Sequence, residues 1–492
     1  MNVSRRAFLS GAAAAPLTSG CSLFPKGMAR DLAWIDATET AALIRRREIS
    51  AAEAVEAAIG RAEALNPKLN FMVAKDFDRA RAAAAGALPS GPFVGVPILI
   101  KDLHDVAGLQ TRYGSRASAR APAVQSDDAT VASVRAAGFI AFGKSSTPEY
   151  GFLPTTEPLA FGPTPNPWDL SRSGGGSSGG AAVATAAGVI PVGQASDGGG
   201  SIRIPASCCG LFGLKPSRGR VVGDRTSPTD ISVRLCVSRS VRDTAAYLAA
   251  VERTGEGALP RVGLVAGPTK RKLRIAWTTT DPLGRRADPD VAAGVNETVK
   301  TLLELGHEVR AVEAWPMDAS TFTEDFLNLW AEGGAQVVAR LSQFMPPAAV
   351  ERGLEPFTLA LARRRASLSA DAFERSVGRL IAGSQAYLRW FREVDVVLSP
   401  VLSTAPPKLG QFSGDVPAET LVERLTDYVG YTPLNNVAGN PAMSVPLVWN
   451  AEGLPIGMHF AADVGQEAML LSLAYQLERA RPWKDRRPPV RA

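Results

Sequence analysis

Apolar residues along this chain alternate between short continuous runs and stripes at helical spacing. Val96-Pro97-Ile98-Leu99-Ile100 is an unbroken apolar run between Gly95 and Lys101, which suits a strand buried on both faces. Phe139–Phe142, Leu273–Thr278, Val394–Ser399, Ala442–Leu447 and Pro455–Phe460 read as further short strands, and His307–Val312 alternates like one. Helical patterns lie between them. Asp36–Gly60 carries a capping box at Ser50…Glu53 with a stop at Asn66-Pro67, Asp76–Gly86 is rich in alanine, and Asp128 caps a stretch through Ala137. Asp288-Pro289 starts a helix that Gly306 ends. Residues 318–392 read as mostly helical and carry few motifs, so they are expected to cover one side and shape access. This alternation implies one large α/β sheet covered by helices, and therefore a single big domain rather than the two to four that 492 residues suggest.

Composition narrows the function classes. The net charge of +6 is mild, and Arg45–Arg47, Lys270–Lys272 and Arg363–Arg365 are short clusters within amphipathic segments. They read as solvated helix faces, not as a stripe for nucleic acid. No run of ~20 apolar residues is present, so no transmembrane helix is expected. His104, His307 and His459 lie far apart without ligand spacing, so no metal is expected. Cys208, Cys209 and Cys236 are odd in number and two are adjacent, which implies no disulfide framework. At the start, Ser4-Arg5-Arg6-Ala7-Phe8-Leu9 resembles a twin-arginine export signal, and Gly20-Cys21-Ser22 looks like a lipoprotein cleavage site, although Thr18 stands where leucine is usual. Residues 1–30 are thus expected to be an export signal or tether, with the domain at 31–492. The expected location is the periplasm or a membrane anchored through Cys21, or the cytoplasm if the signal is not used.

The chemistry concentrates between Ser171 and Pro205. Two Gly/Ser clusters, Gly174–Gly180 and Gly198–Ser201, flank a small-residue helix and a short apolar strand. So many glycines suit a backbone that turns sharply or brings its N–H groups close to a ligand. Three pattern matches compete. Gly138…Gly143-Lys144-Ser145 fits a phosphate loop, but a helix precedes it and its loop would be the apolar run Phe139–Phe142. Gly174, Gly176 and Gly179 fit a dinucleotide pattern without a preceding buried strand. Gly176-Ser177-Ser178-Gly179-Gly180 fits a serine-hydrolase elbow with Ser178 as nucleophile, which needs a histidine base from His307 or His459. The other available base is lysine, neutral when it acts. Bringing a lysine from about 10.4 to near 7 costs roughly 4–5 kcal/mol, which burial at a strand end supplies. Lys101 stands there; an ion pair with Asp102 is the alternative role.

Taken together, GVPILIKD (Gly95–Asp102), GGGSSGG (Gly174–Gly180) and DGGGSIRIPAS (Asp197–Ser207) resemble the amidase signature family. GKSSTPE, GLFGLKPSRGRV, NNVAGNPAMSVP and GLPIG extend the likeness over residues 32–485. The resemblance implies a central mixed twisted β-sheet covered by helices on both faces. It implies Ser201 as acylated nucleophile, Ser177 as bridging serine after a cis peptide, and Lys101 as base. It further implies an oxyanion hole from the N–H groups of Gly198, Gly199, Gly200 and Ser201, with Asp197 and Arg203 holding the loop and Ser178 supporting it. Position 198 departs from the family, which more often places Ile, Thr or Ala there. His104, three residues after Lys101, either tunes the lysine or is simply packed. The implied activity is hydrolysis of a small linear or cyclic amide, without metal or cofactor; a homodimer is the candidate assembly. DLAWIDATETAALIRRREIS and TPNPWDLSRSGGGSSGG look most similar to 6-aminohexanoate cyclic-dimer hydrolases. Carbamate cleavage would use the same groups. A tRNA-dependent amidotransferase subunit and a non-catalytic solute-binding lipoprotein are the other classes weighed.

Overall fold

The computed structural model describes residues 32–492, so the export signal and Cys21 lie outside the described residues. The run after Gly95 forms strand β2 (Pro97–Lys101, with β1 being Met72–Lys75), and every residue of β2 is buried. The next apolar run forms β3 (Ile140–Ser145), longer than Phe139–Phe142 because Gly143, Lys144 and Ser145 continue the strand. That excludes a phosphate loop, whose Gly-Lys-Ser must sit in a turn before a helix. These three strands pair in the order β1-β3-β2, with β2 and β3 parallel.

Eight more strands make the larger sheet: β4 (Val192–Asp197), β5 (Phe212–Lys215), β6 (Val233–Ser238), β7 (Arg274–Trp277), β8 (Glu308–Ala311), β9 (Val396–Pro400), β10 (Ala442–Trp449) and β11 (Pro455–Ala461). Their order is β4-β6-β5-β10-β11-β9-β7-β8, parallel only at β7–β8 and β7–β9. The fold is therefore α/β with a mixed sheet in one domain. It differs from the single sheet expected in being two hydrogen-bonded blocks. They meet where β2 lies beside β4, and the Lys101 N–H donates to Gln194 Oε1 at 3.0 Å.

The first helical pattern is interrupted. Ala37–Arg45 and Ala51–Leu69 are separate helices, because the Ser50/Glu53 capping box begins a new helix after Arg47 takes a left-handed turn (φ 60°). Pro67 does not stop the second helix. It sits in the final turn, where its missing N–H costs one bond, and Asn70 closes the helix in the left-handed region. The helix Gly179–Ala186 is buried at all eight positions. Its small residues permit this: a Cβ on Gly180 would lie 2.4 Å from the Ser146 nitrogen. Residues 318–392 supply the helices Phe322–Leu341, Pro347–Gly353, Pro356–Ser367 and Ala370–Arg389. Cys208, Cys209 and Cys236 are buried and free.

Candidate active site

Two strand ends converge on the site. β2 delivers Lys101, and β4 delivers Asp197, after which the chain turns through Gly198–Ser201 into the helix Arg203–Cys209. The Lys101 ammonium nitrogen lies 2.7 Å from Ser177 Oγ, 3.1 Å from Ser196 Oγ and 3.5 Å from Ser196 O. Lys101 Nζ donates to all three oxygens, which its three N–H groups allow. Burial pushes the Lys101 amine down to about 7, against the opposing attraction of Asp197. Asp102, the alternative partner, instead pairs with Lys144 at 2.7 Å, both buried. If Lys101 must be neutral, activity rises about tenfold per pH unit up to a bend near pH 7. A pH profile of kcat/KM without an acid limb there would rule out a titrating Lys101.

Exposure rises from base to nucleophile candidate: Lys101 is 0% exposed, Ser177 2% and Ser201 7%. Ser201 and Gly199 line a cavity of about 100 Å³. Ser201 Oγ makes no hydrogen bond among the described residues. Gly151 links the two serines' surroundings, since it lines the same cavity and a Cβ on it would sit 3.1 Å from Ser177 Oγ. The Gly176–Ser177 peptide is cis. Ser178 is clipped to the strand: its hydroxyl donates to Ser196 O at 3.1 Å and accepts the Ser196 N–H at 3.3 Å. It has no histidine partner, so the elbow reading lacks its base.

The three histidines are engaged elsewhere. His104 Nδ1 meets Asp128 Oδ2 at 2.8 Å, so the ring is packed against a helix cap and does not touch Lys101. His307 accepts the Leu273 N–H and meets Gln476. His459 Nε2 lies 3.0 Å from Arg203 Nη1. A guanidinium only donates, so Nε2 accepts and the ring proton sits on Nδ1, toward Ser399 Oγ at 3.2 Å.

Asp197 organises the loop. Its Oδ1 accepts from the Gly200 N–H (2.7 Å), Asn436 Nδ2 (2.8 Å) and Arg203 Nη2 (2.9 Å). Its Oδ2 accepts from Arg203 Nε (3.0 Å) and the Ile202 N–H (3.1 Å). Burial opposes the charge, but the Arg203 guanidinium and these donors hold the carboxyl well below the usual carboxylate range. Arg203 also reaches Thr432 O, Asn435 and Asn436, and Thr432 Oγ1 donates to Gly199 O at 2.7 Å. Thr432, Asn435 and Asn436 are the site members that sequence reasoning missed; the signal for the two asparagines was NNVAGNPAMSVP, read as a family motif without a role, and His459, weighed as a base for Ser178, lies instead against Arg203.

The loop also differs from expectation. Of the four N–H groups expected to face an oxyanion, that of Gly200 is taken by Asp197, because this carboxylate folds the turn around itself. Those of Gly198, Gly199 and Ser201 meet no acceptor among the described residues. Gly200 sits at φ 135°, and a Cβ there would meet Thr432 Oγ1 at 2.4 Å, so only glycine fits. The unusual Gly198 has a cause as well. A Cβ at this position would lie 3.3 Å from the Trp330 ring, so Trp330 fills the space a larger residue would take. Trp330 stacks on Phe326 (centroids 5.4 Å apart) and meets Phe152 edge-on, and all three rings line the cavity.

Comparison with known proteins places this arrangement. The family model described as Amidase matches residues 53–471. AmiC of Mycobacterium tuberculosis is 41% identical over 455 residues, 91% of this chain and 95% of that one. The 6-aminohexanoate-cyclic-dimer hydrolase of a Pseudomonas species (strain NK87) is 35% identical over 479 residues, 93% of this chain and 97% of that one. A structure of 6-aminohexanoate cyclic dimer hydrolase complexed with substrate superposes with a TM-score of 0.86 at 33% identity, covering 93% of this chain and 99% of the other. A bacterial aryl acylamidase superposes with a TM-score of 0.82 at 26% identity, covering 92% and 97%. The chain belongs to the amidase signature family of hydrolases that act on amide bonds.

Proposed function

We propose that this protein hydrolyses a small, uncharged, apolar amide, linear or cyclic, through an acyl-enzyme on Ser201. The observation that carries this reading is the buried Lys101 amine, 2.7 Å from Ser177 Oγ, behind a serine that lines the cavity. Neutral Lys101 takes the Ser177 proton as Ser177 takes that of Ser201, and Ser201 Oγ attacks the substrate carbonyl. The N–H groups of Gly198, Gly199 and Ser201 receive the oxyanion, each worth about 2.7–4 kcal/mol in the transition state. Lys101 returns its proton through Ser177 to the leaving nitrogen. Water then attacks the ester by the same relay, releasing the acid and restoring Ser201.

The cavity supports the substrate class. Phe152, Phe326, Trp330, Phe357 and Val422 dominate its wall. Arg285, the cation there, is held by Asp281 at 2.6 Å. An ionised group would be desolvated against these rings without a free counter-charge. The likeness to 6-aminohexanoate cyclic dimer hydrolase and to an aryl acylamidase supports the same class. The Ser4–Leu9 pattern supports action after export, with Cys21 available for lipidation.

Intact-mass analysis after treatment with a fluorophosphonate tests the nucleophile. The wild type gains one adduct and Ser201→Ala gains none. An adduct that persists on Ser201→Ala would move the nucleophile to Ser178 and overturn the relay.

A further inference from the structure

The molecule has a second, larger cavity, of about 1050 Å³, lined in part by Tyr150, whose neighbours Gly151 and Phe152 line the catalytic cleft. Four guanidinium groups line it: Arg116, Arg120, Arg340 and Arg352. None of them forms an ion pair with a carboxylate among the described residues. Two carboxylates stand nearby, and one of them, Asp105, lines the cavity with its charge reaching Arg340. Asp105 accepts from Thr111 Oγ1 at 2.7 Å. Glu149, whose charge reaches Arg116, is buried and accepts from Ser115 Oγ, Thr358 Oγ1 and the Glu355 N–H. All four arginines are exposed, so together they present a positive potential to solutes entering the basin.

The backbone here is unusual in the same place. Four non-glycine residues among the described ones have positive φ, and two of them are Tyr113 (54°) and Tyr150 (50°), which line this cavity. Their rings stack at 5.4 Å between centroids, and the Tyr150 N–H donates to Tyr113 O at 2.7 Å. Arg340 lies over the outer face of Tyr113, 5.6 Å from its centroid. Bulky residues held in this region cost energy, and such positions cluster at active sites and ligand clamps. Beside them, Val337, Leu341 and Met345 give the basin an apolar side.

We propose that this basin is a binding site for a carboxylate carrying an apolar body. Guanidinium groups match a carboxylate in a fork geometry, and the apolar side takes the rest of the molecule. This recognition is independent of the proposed hydrolysis. An apolar acid is nevertheless what cleavage of an apolar amide releases, and that source for the ligand rests on the proposed function.

Calorimetric titration of the full chain with benzoate tests the site, with benzamide and acetate as controls. Benzoate binds, benzamide and acetate bind at least about tenfold more weakly, and added salt weakens benzoate further. Arg116→Ala/Arg352→Ala loses at least about tenfold in benzoate affinity, while Trp330→Ala, in the wall of the catalytic cleft and not of the basin, leaves it unchanged. Arg116→Lys/Arg352→Lys keeps the charge and separates loss of recognition from a folding defect. Failure of wild type to bind benzoate, equal binding of benzamide, or full affinity in the double alanine variant would overturn the proposal. A loss of benzoate binding in Trp330→Ala alone would assign it to the catalytic cleft and overturn it too. If the acid inhibits amide turnover noncompetitively in wild type and not in the double variant, the released product is a ligand of the basin. Purely competitive inhibition in both would leave only acids from solution as its source.

Discussion

Replacing Lys101 by methionine lowers kcat/KM for amide cleavage by about two to four orders of magnitude, the range general-base catalysis contributes, while the fold is retained. The side chain is wholly buried between Ser177 and Ser196, and methionine approximately keeps its volume. What disappears is the lone pair that takes the Ser177 proton in the proposed relay. Stability moves in a direction that distinguishes this base from a structural cation. The folded-state value near 7 lies below the ordinary lysine value of 10.5, so the unfolded chain binds more protons between these pH values. Wild-type stability therefore rises from about pH 7 toward 10.5 through this group, and the penalty is largest below pH 7. Lys101→Met removes that rise. Thermal melts of both proteins across this range, with rates measured in parallel, check the two halves together. A methionine variant with wild-type rates would sink the lysine-base mechanism.

The largest effect on stability is expected at Arg203. Arg203→Ala leaves the Asp197 carboxylate buried without its cation and costs about 3–5 kcal/mol. The loss extends further, because Arg203 also ties Thr432, Asn435, Asn436 and His459 to the loop. Arg203→Lys does not restore it, since an ammonium cannot reproduce a planar fork of five donors. Asp197→Asn added to Arg203→Ala removes the stranded charge and recovers part of the stability. Denaturant midpoints for the three variants measure this directly, and fluorophosphonate labelling of the folded fraction reports whether the Gly198–Ser201 turn survives. A Arg203→Ala midpoint equal to that of wild type would mean the carboxylate finds another partner.

Much of the site was legible in the chain because its signals are local. Lys101 follows five consecutive apolar residues, so a buried strand end and a depressed amine follow from adjacent positions. The Gly/Ser clusters mark turns within a few residues of the serines they present. Gly143-Lys144-Ser145 was disfavoured as a phosphate loop by the helix before it and the apolar run in place of a loop, and its lysine serves instead as the buried partner of Asp102. The helix after Ser50 began at the capping box, yet its end beyond Pro67 was not readable, because a proline in a last turn forfeits little.

Sequence by itself determined the α/β class, the strand that carries Lys101, and the turn that carries Ser201, since each depends on the order of neighbouring residues. Tertiary structure alone decided how that turn is held and what it faces. Arg203 meets Thr432 and His459 across 229 and 256 positions, and no periodicity spans such distances. Trp330 occupies the space above Gly198 from a helix more than a hundred residues downstream, so the small residue is explained only by its distant neighbour. The Asp197 carboxylate takes the Gly200 N–H because folding buries both, and a buried donor must be satisfied. Local pattern sets the elements; desolvation and long-range contact set which of their polar groups remain free to act.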